Sequence, residues 1–289
     1  MPSISNDTIS INVASRGAEL QSLYHKQHQL EYMWSGDPNY WGKHSPVLFP
    51  IVGELKNKAY IYKGKQYNLS RHGFAREMEF EVSEQNKNSI TFSLRANAET
   101  AEKYPFQFVF SVMYTLIQNS LQISFLVENT GDETMFFSVG AHPAFKVPLI
   151  AGTSYEDYQL VFTEKETVGR WPISPDGLIE TETTPLLQDQ SILPLKKELF
   201  AADAIVLKDL RSKSVAITSA KTLHGVRVTF NDFPFLGIWE TKGGDFVCIE
   251  PWCGIADSVN ASGDLEDKEG INLLAPSAHF EVSYTIELF

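Results

Sequence analysis

Cysteine is nearly absent. Cys248 and Cys253 are the only two in 289 residues. They share one short segment and cannot staple distant parts of the chain, which excludes a disulfide framework and fits a reducing, cytoplasmic setting. No cluster of further ligands flanks them in sequence, so no metal site is expected. Positive charge is also scarce, with 24 Lys and Arg against 36 Asp and Glu, a net −12. Such a chain is a poor general binder of nucleic acid or of an anionic membrane. No apolar run is long enough to span a bilayer. The first residues, MPSISNDTISINVAS, lack the basic and apolar regions of a signal peptide. Helical periodicity is limited to residues 99–103 and 196–200, and nothing alternates strand with helix as a parallel α/β fold would.

What the chain has in abundance is a period of two. Phe280, Val282, Tyr284, Ile286 and Leu288 alternate with polar residues, as do Leu121, Ile123, Phe125 and Val127, and Phe108, Phe110, Val112, Tyr114 and Leu116. Shorter runs begin at Ile9, Ile90 and Val226. Neighbouring strand residues face opposite sides, so each run has one buried face. Turn signals such as Lys63-Gly64 and Gly243-Gly244-Asp245 separate them. The pattern predicts an all-β protein, a large antiparallel β-sandwich with very little helix, built as one domain over 1–289. Residues 150–195 read as loop-rich, an excursion on one edge.

Three stretches carry chemistry. In Ser70-Arg71-His72-Gly73-Phe74-Ala75-Arg76 a histidine lies between two arginines, which disfavour its protonated form. In Gly140-Ala141-His142-Pro143-Ala144-Phe145 a histidine ends the strand predicted over 135–139, because Pro143 cannot donate to a sheet ladder. In Phe246-Val247-Cys248-Ile249-Glu250-Pro251-Trp252-Cys253 alternation puts Phe246, Cys248, Glu250 and Trp252 on one face. A carboxylate there must be paired, protonated or in a wet pocket. For each histidine the alternative is a hydrogen-bonded structural role, and for Glu250 a salt bridge to an arginine. Asp257 reads as a turn cap. His25, His28 and His279 read as surface, His44 as a cleft-rim candidate, and His224 as loop or site. Trp41, Trp239, Trp252, Phe74 and Phe145 are near these stretches, either as sugar-stacking platforms or as core.

Taken together, RHGFAR, GAHPAF and IEPWCGIAD, in this order, resemble the aldose 1-epimerase (galactose mutarotase) family, in particular its shorter bacterial branch, which is similar to the hexose-6-phosphate mutarotases. The resemblance runs from about Ile9 to the C-terminus. It implies a β-supersandwich with an open cleft, and a catalytic set of His72, His142 and Glu250. It further implies Arg76 in the pocket and Asp203 as a sugar contact; Arg71, Trp239 and Phe145, near these motifs, are expected to join them as substrate contacts. Glu54 stands where many relatives carry arginine.

The implied reaction interconverts the anomers of a hexose by opening and closing its ring. It needs one base and one acid, and no metal, nucleotide or redox cofactor. Glu250 is expected as the ionised base, His142 as the protonated acid, and His72 as a neutral donor. The expected partner is a small sugar, free or phosphorylated, and a homodimer is allowed. Arg71 and Arg76 have three readings: site cations, a phosphate clamp together with Lys56 or Lys58, or ion pairs with Glu77, Glu79 or Glu81. Two other functions stay open, a non-catalytic carbohydrate-binding sandwich and a glycoside hydrolase. The latter needs a second carboxylate, from Asp203 or Asp257.

Overall fold

A computed structural model describes all residues, Met1–Phe289. It contains 23 strands and a single α-helix, Ala98–Lys103. The segment 196–200 forms a short 3-10 turn, Lys197–Phe200. Every pairing between strands is antiparallel.

The long alternating runs form the spine of a nine-stranded sheet. Phe108–Ile117 pairs with Ser120–Asn129, which pairs in turn with His279–Leu288. Phe110, Phe125 and Ile286 point inward from these strands and are fully buried. A six-stranded sheet faces them. Its main path runs Ile205–Lys208, Phe235–Trp239, Phe246–Cys253, Val139–Ala141, Val47–Leu48. Val139, Phe145, Val247, Ile249 and Ile238 enter the same 69-residue core cluster as the inward residues of the large sheet. A four-stranded sheet at the N-terminus adds Ile9, Ile11, Val13, Leu20 and Leu23 to it. The antiparallel sandwich read from alternation is therefore the fold.

Residues 150–195 depart from the expectation of a loop-rich region. Two long strands, Tyr158–Arg170 and Thr184–Pro194, form a hairpin at one edge of the nine-stranded sheet. Their register shifts three times between Val161 and Gly169. Each shift inserts an odd residue and breaks the period of two, which hides the strands from a sequence reading. The edge position was foreseen; the regular structure was not.

The histidines near the N-terminus also depart from expectation. His25 is buried, its ring stacks on His28 at 3.6 Å, and His28 meets His224 at 4.4 Å. The Tyr32 hydroxyl touches His28 Nδ1 at 3.0 Å and donates to the Phe289 carbonyl. These rings join the first sheet to the chain's end instead of facing solvent. His279 is exposed, as expected.

Candidate active site

The site lies on the outer face of the six-stranded sheet, and strand register assembles it. Val139 sits opposite Cys253, Gly140 opposite Trp252 and Ala144 opposite Cys248. These pairs share one register, so His142 falls opposite Glu250, although Pro143 interrupts the ladder between them. Residues opposite each other point to the same face. His142 Nε2 accordingly lies 3.3 Å from Glu250 Oε2. On the neighbouring strand Gly237 stands opposite Glu250 and Trp239 opposite Cys248.

Phe145 fails for the same reason. It is one residue past Ala144, so its ring points to the other side and is buried in the main core. It is a core residue and not a sugar contact. Trp239 does line the cleft, with Trp41 and Trp252. Trp41 stacks on the His142 ring at 5.0 Å, and Trp239 meets it edge-on at 5.5 Å. Trp252 lies flat across two glycines. A Cβ on Gly237 would come within 2.3 Å of its ring, and one on Gly140 within 2.7 Å.

His72 reaches the cleft from a different element. Its amide donates to the Gly53 carbonyl, and the Gly53 amide donates back to His72 Nδ1 at 3.1 Å. His72 itself has a positive φ of 68°, and Gly73 after it has φ 73°. A side chain on Gly73 would run into the Phe49 carbonyl, so only glycine fits there. Accepting at Nδ1 fixes the proton of the neutral ring on Nε2. The His72 and His142 rings meet edge-on at 5.6 Å.

The cleft so formed has a volume of about 340 Å³, at the small end for ligand pockets and suited to one sugar ring. Arg71, Arg76 and Asp203 line it with the two histidines and Glu250. Arg76 donates to the Arg71 carbonyl at 2.9 Å and lies 3.9 Å from Glu77. Arg71 lies 3.7 Å from Glu54 and 4.0 Å from Asp203. Glu54 thus supports an arginine here. Lys56 and Lys58 are outside this cleft, in a neighbouring hollow. His44 does not line the cleft; its ring lies against Gly36.

Burial dominates the electrostatics. It pushes the His72 imidazole well below its ordinary value, with further lowering by His142, Arg76 and Arg71. The effect foreseen for the arginines is present but comes after desolvation. Burial also carries His142 down to about 3, and the arginines act the same way. Glu250 is pushed well up by burial and then by Asp203. Arg71 and the nearby Trp252 indole pull it back, although Trp252 Nε1 completes no hydrogen bond. Both shifts disfavour the charged forms, and so act against the ionised Glu250 and protonated His142 expected from sequence. No arginine lies within salt-bridge reach of Glu250, so that alternative falls too.

The family model for aldose 1-epimerase matches residues 2–271. The chain belongs to the aldose 1-epimerase family. Within it, the plasmid-borne protein LacX of Lactococcus lactis subsp. lactis is 40% identical over 99% of this chain and 98% of its own. A galactose mutarotase related enzyme from Lactobacillus acidophilus is 41% identical, with a TM-score of 0.95 over 100% of this chain and 97% of that one. A galactose mutarotase-like protein from Lactobacillus casei is 32% identical, with a TM-score of 0.94 over the whole of both chains. The epimerase-family chain described here also uses residues that sequence reading did not place. Asp257 was read as a turn cap. It is a buried clasp that accepts from the Lys56 amide and from Lys268 Nζ, at 2.9 Å and 2.7 Å, tying the Glu54 loop to the end of the Glu250 strand. Its partner lies eleven residues away and carries no local signal.

Proposed function

We propose that the protein is a mutarotase that interconverts the α and β anomers of a hexose. The observation that carries this is the 3.3 Å approach of His142 Nε2 to Glu250 Oε2 in a cleft of sugar-ring size, with His72 beside them. The two oxygens that exchange protons during ring opening sit on one carbon. Acid and base must then be near neighbours, and these two groups are.

Glu250 takes the proton of the C1 hydroxyl while His142 protonates the ring oxygen. The aldehyde turns about its C1–C2 bond and closes on the other face, with the roles reversed. The pair holds one proton throughout. At rest, burial and Asp203 favour keeping that proton on Glu250. Sugar hydroxyls bound in the cleft add hydrogen bonds to the carboxylate form, which moves it to His142. His72 Nε2–H donates to a sugar oxygen without changing charge. Trp41, Trp239 and Trp252 pack the C–H faces of the ring, and Asp203 and Arg76 hold its hydroxyls.

A free hexose fits better than a 6-phosphate. Glu54 and Asp203 already flank Arg71, and the two lysines lie outside the cleft. Polarimetry on freshly dissolved α-D-glucose, α-D-galactose and their 6-phosphates tests both points. Faster rotation change with the free sugars supports the reading. Acceleration confined to phosphates reverses the substrate assignment, and binding without acceleration leaves a carbohydrate-binding sandwich.

A further inference from the structure

Cys248 has no part in the proton transfers above, yet it lies beside them. It is free and fully buried. It is two residues before Glu250 on the same strand face, and Ala144, two residues after His142, stands opposite it. One ligating atom each from His142, Cys248 and Glu250 all lie within 4.8 Å of one another. We propose that these three side chains form a binding site for a thiophilic divalent cation, Zn²⁺ being the best fit, and that occupancy of this site switches the enzyme off.

The donor set is one imidazole nitrogen, one thiolate and one carboxylate oxygen. Zinc takes all three kinds, whereas magnesium and calcium select oxygen alone. Geometry agrees. Tetrahedral zinc with nitrogen and oxygen donors at about 2.0–2.2 Å sets those donors about 3.4 Å apart. His142 Nε2 and Glu250 Oε2 are already 3.3 Å apart. A sulfur donor at about 2.3 Å from the metal belongs about 3.6 Å from the other two, and ligating atoms of all three residues already lie within 4.8 Å of one another. His142 Nδ1 has no hydrogen-bond partner. Trp41, Trp239 and His72 hold the ring where it stands, with Nε2 already toward Glu250.

Charge agrees as well. A lone carboxylate or thiolate is costly in this buried wall. A divalent ion with one thiolate, one carboxylate and one neutral imidazole has no net charge. Binding displaces the Cys248 thiol proton and the pair's shared proton to solvent, so affinity rises with pH. Once Glu250 and His142 ligate metal, neither can exchange a proton with a sugar.

The inhibition half rests on the mutarotase reading; the binding half does not. Co²⁺ serves as a spectroscopic probe on the untagged full-length protein, followed by Zn²⁺ competition and polarimetry. One Co²⁺ should bind with a thiolate-to-cobalt charge-transfer band that Zn²⁺ removes and Mg²⁺ leaves alone. Cys248→Ser should lose the band and weaken Zn²⁺ by more than about 100-fold, beyond the loss of an outer contact. Cys253→Ser should keep both. Zn²⁺ should stop anomerisation in the wild type but not in Cys248→Ser, whose rate without metal is unchanged. If Cys248→Ser fails to fold, Cys248→Ala replaces it, with the same expectations. Absence of the band, or an equal band in the Cys248 variant, overturns the site. A band in a protein that accelerates no anomerisation keeps the metal site and removes the functional reading. An active enzyme that binds Zn²⁺ through Cys248 and still turns over removes the switch.

Discussion

At the scale of single residues, the proposed mechanism divides one proton's work among three side chains, and their neighbours set the division. His72 is held neutral by the Gly53 amide at Nδ1 and by burial, so it can only donate. Glu250→Gln and His142→Asn should each cut the anomerisation rate by about 10³-fold, the usual worth of general acid–base catalysis. His72→Asn should cost about tenfold, the value of one hydrogen bond. Asparagine tolerates the positive φ at that position, so the loss reports on the hydrogen bond. Equal losses at all three positions would contradict the assignment. The pH profile gives a second check. A lone exposed histidine acid or base would show a limb near its ordinary pKa of about 6.5. Here His142 is carried down to about 3 and Glu250 upward. In the proposed mechanism the pair carries one proton, and these shifts predict that kcat/KM stays level as pH falls through about 6.5. A steep acid limb near that value would show that His142 is not held neutral.

At the scale of elements, one strand pair does most of the positioning. Register sets His142 against Glu250 and sends Phe145 inward; a slip of one residue would exchange the two faces. The glycines on the flanking strands leave the space that Trp252 fills. Gly237→Ala places a methyl where the indole lies. It should tilt Trp252, reduce activity and destabilise the fold by about 1–3 kcal/mol, as overpacking does. Tryptophan near-UV circular dichroism together with denaturant unfolding measures this. An unchanged spectrum with full activity would mean that Trp252 is not the floor of the site. The alternation in Phe246–Cys253 was readable, since each residue type matches its face. The pairing partner was not readable, because more than a hundred residues separate His142 from Glu250.

At the scale of the whole molecule, His25, His28 and His224 tie distant parts together and link folding to pH. Burial lowers both His25 and His28; His224 lowers each further, and His25 also acts on His28. Their folded pKa values lie below the unfolded value of about 6.5. Protonation therefore favours the unfolded chain, so their contribution is intact above that value and declines as pH falls below it. Thermal unfolding should show a smaller drop in Tm between about pH 7.5 and 5.5 in His28→Asn than in the wild type. An identical drop would place the acid sensitivity elsewhere. The sequence by itself determined the fold class and the three motifs, since alternation, strand ends and a carboxylate on an apolar strand are local properties of residue type. Tertiary structure alone decided the rest: that Phe145 is core, that His25 stacks on His28 and His28 meets His224, that Asp257 clasps Lys268, and that His142 meets Glu250. Each of these depends on which distant segment lies alongside and how much water it excludes, and neither quantity is written in any short stretch of chain.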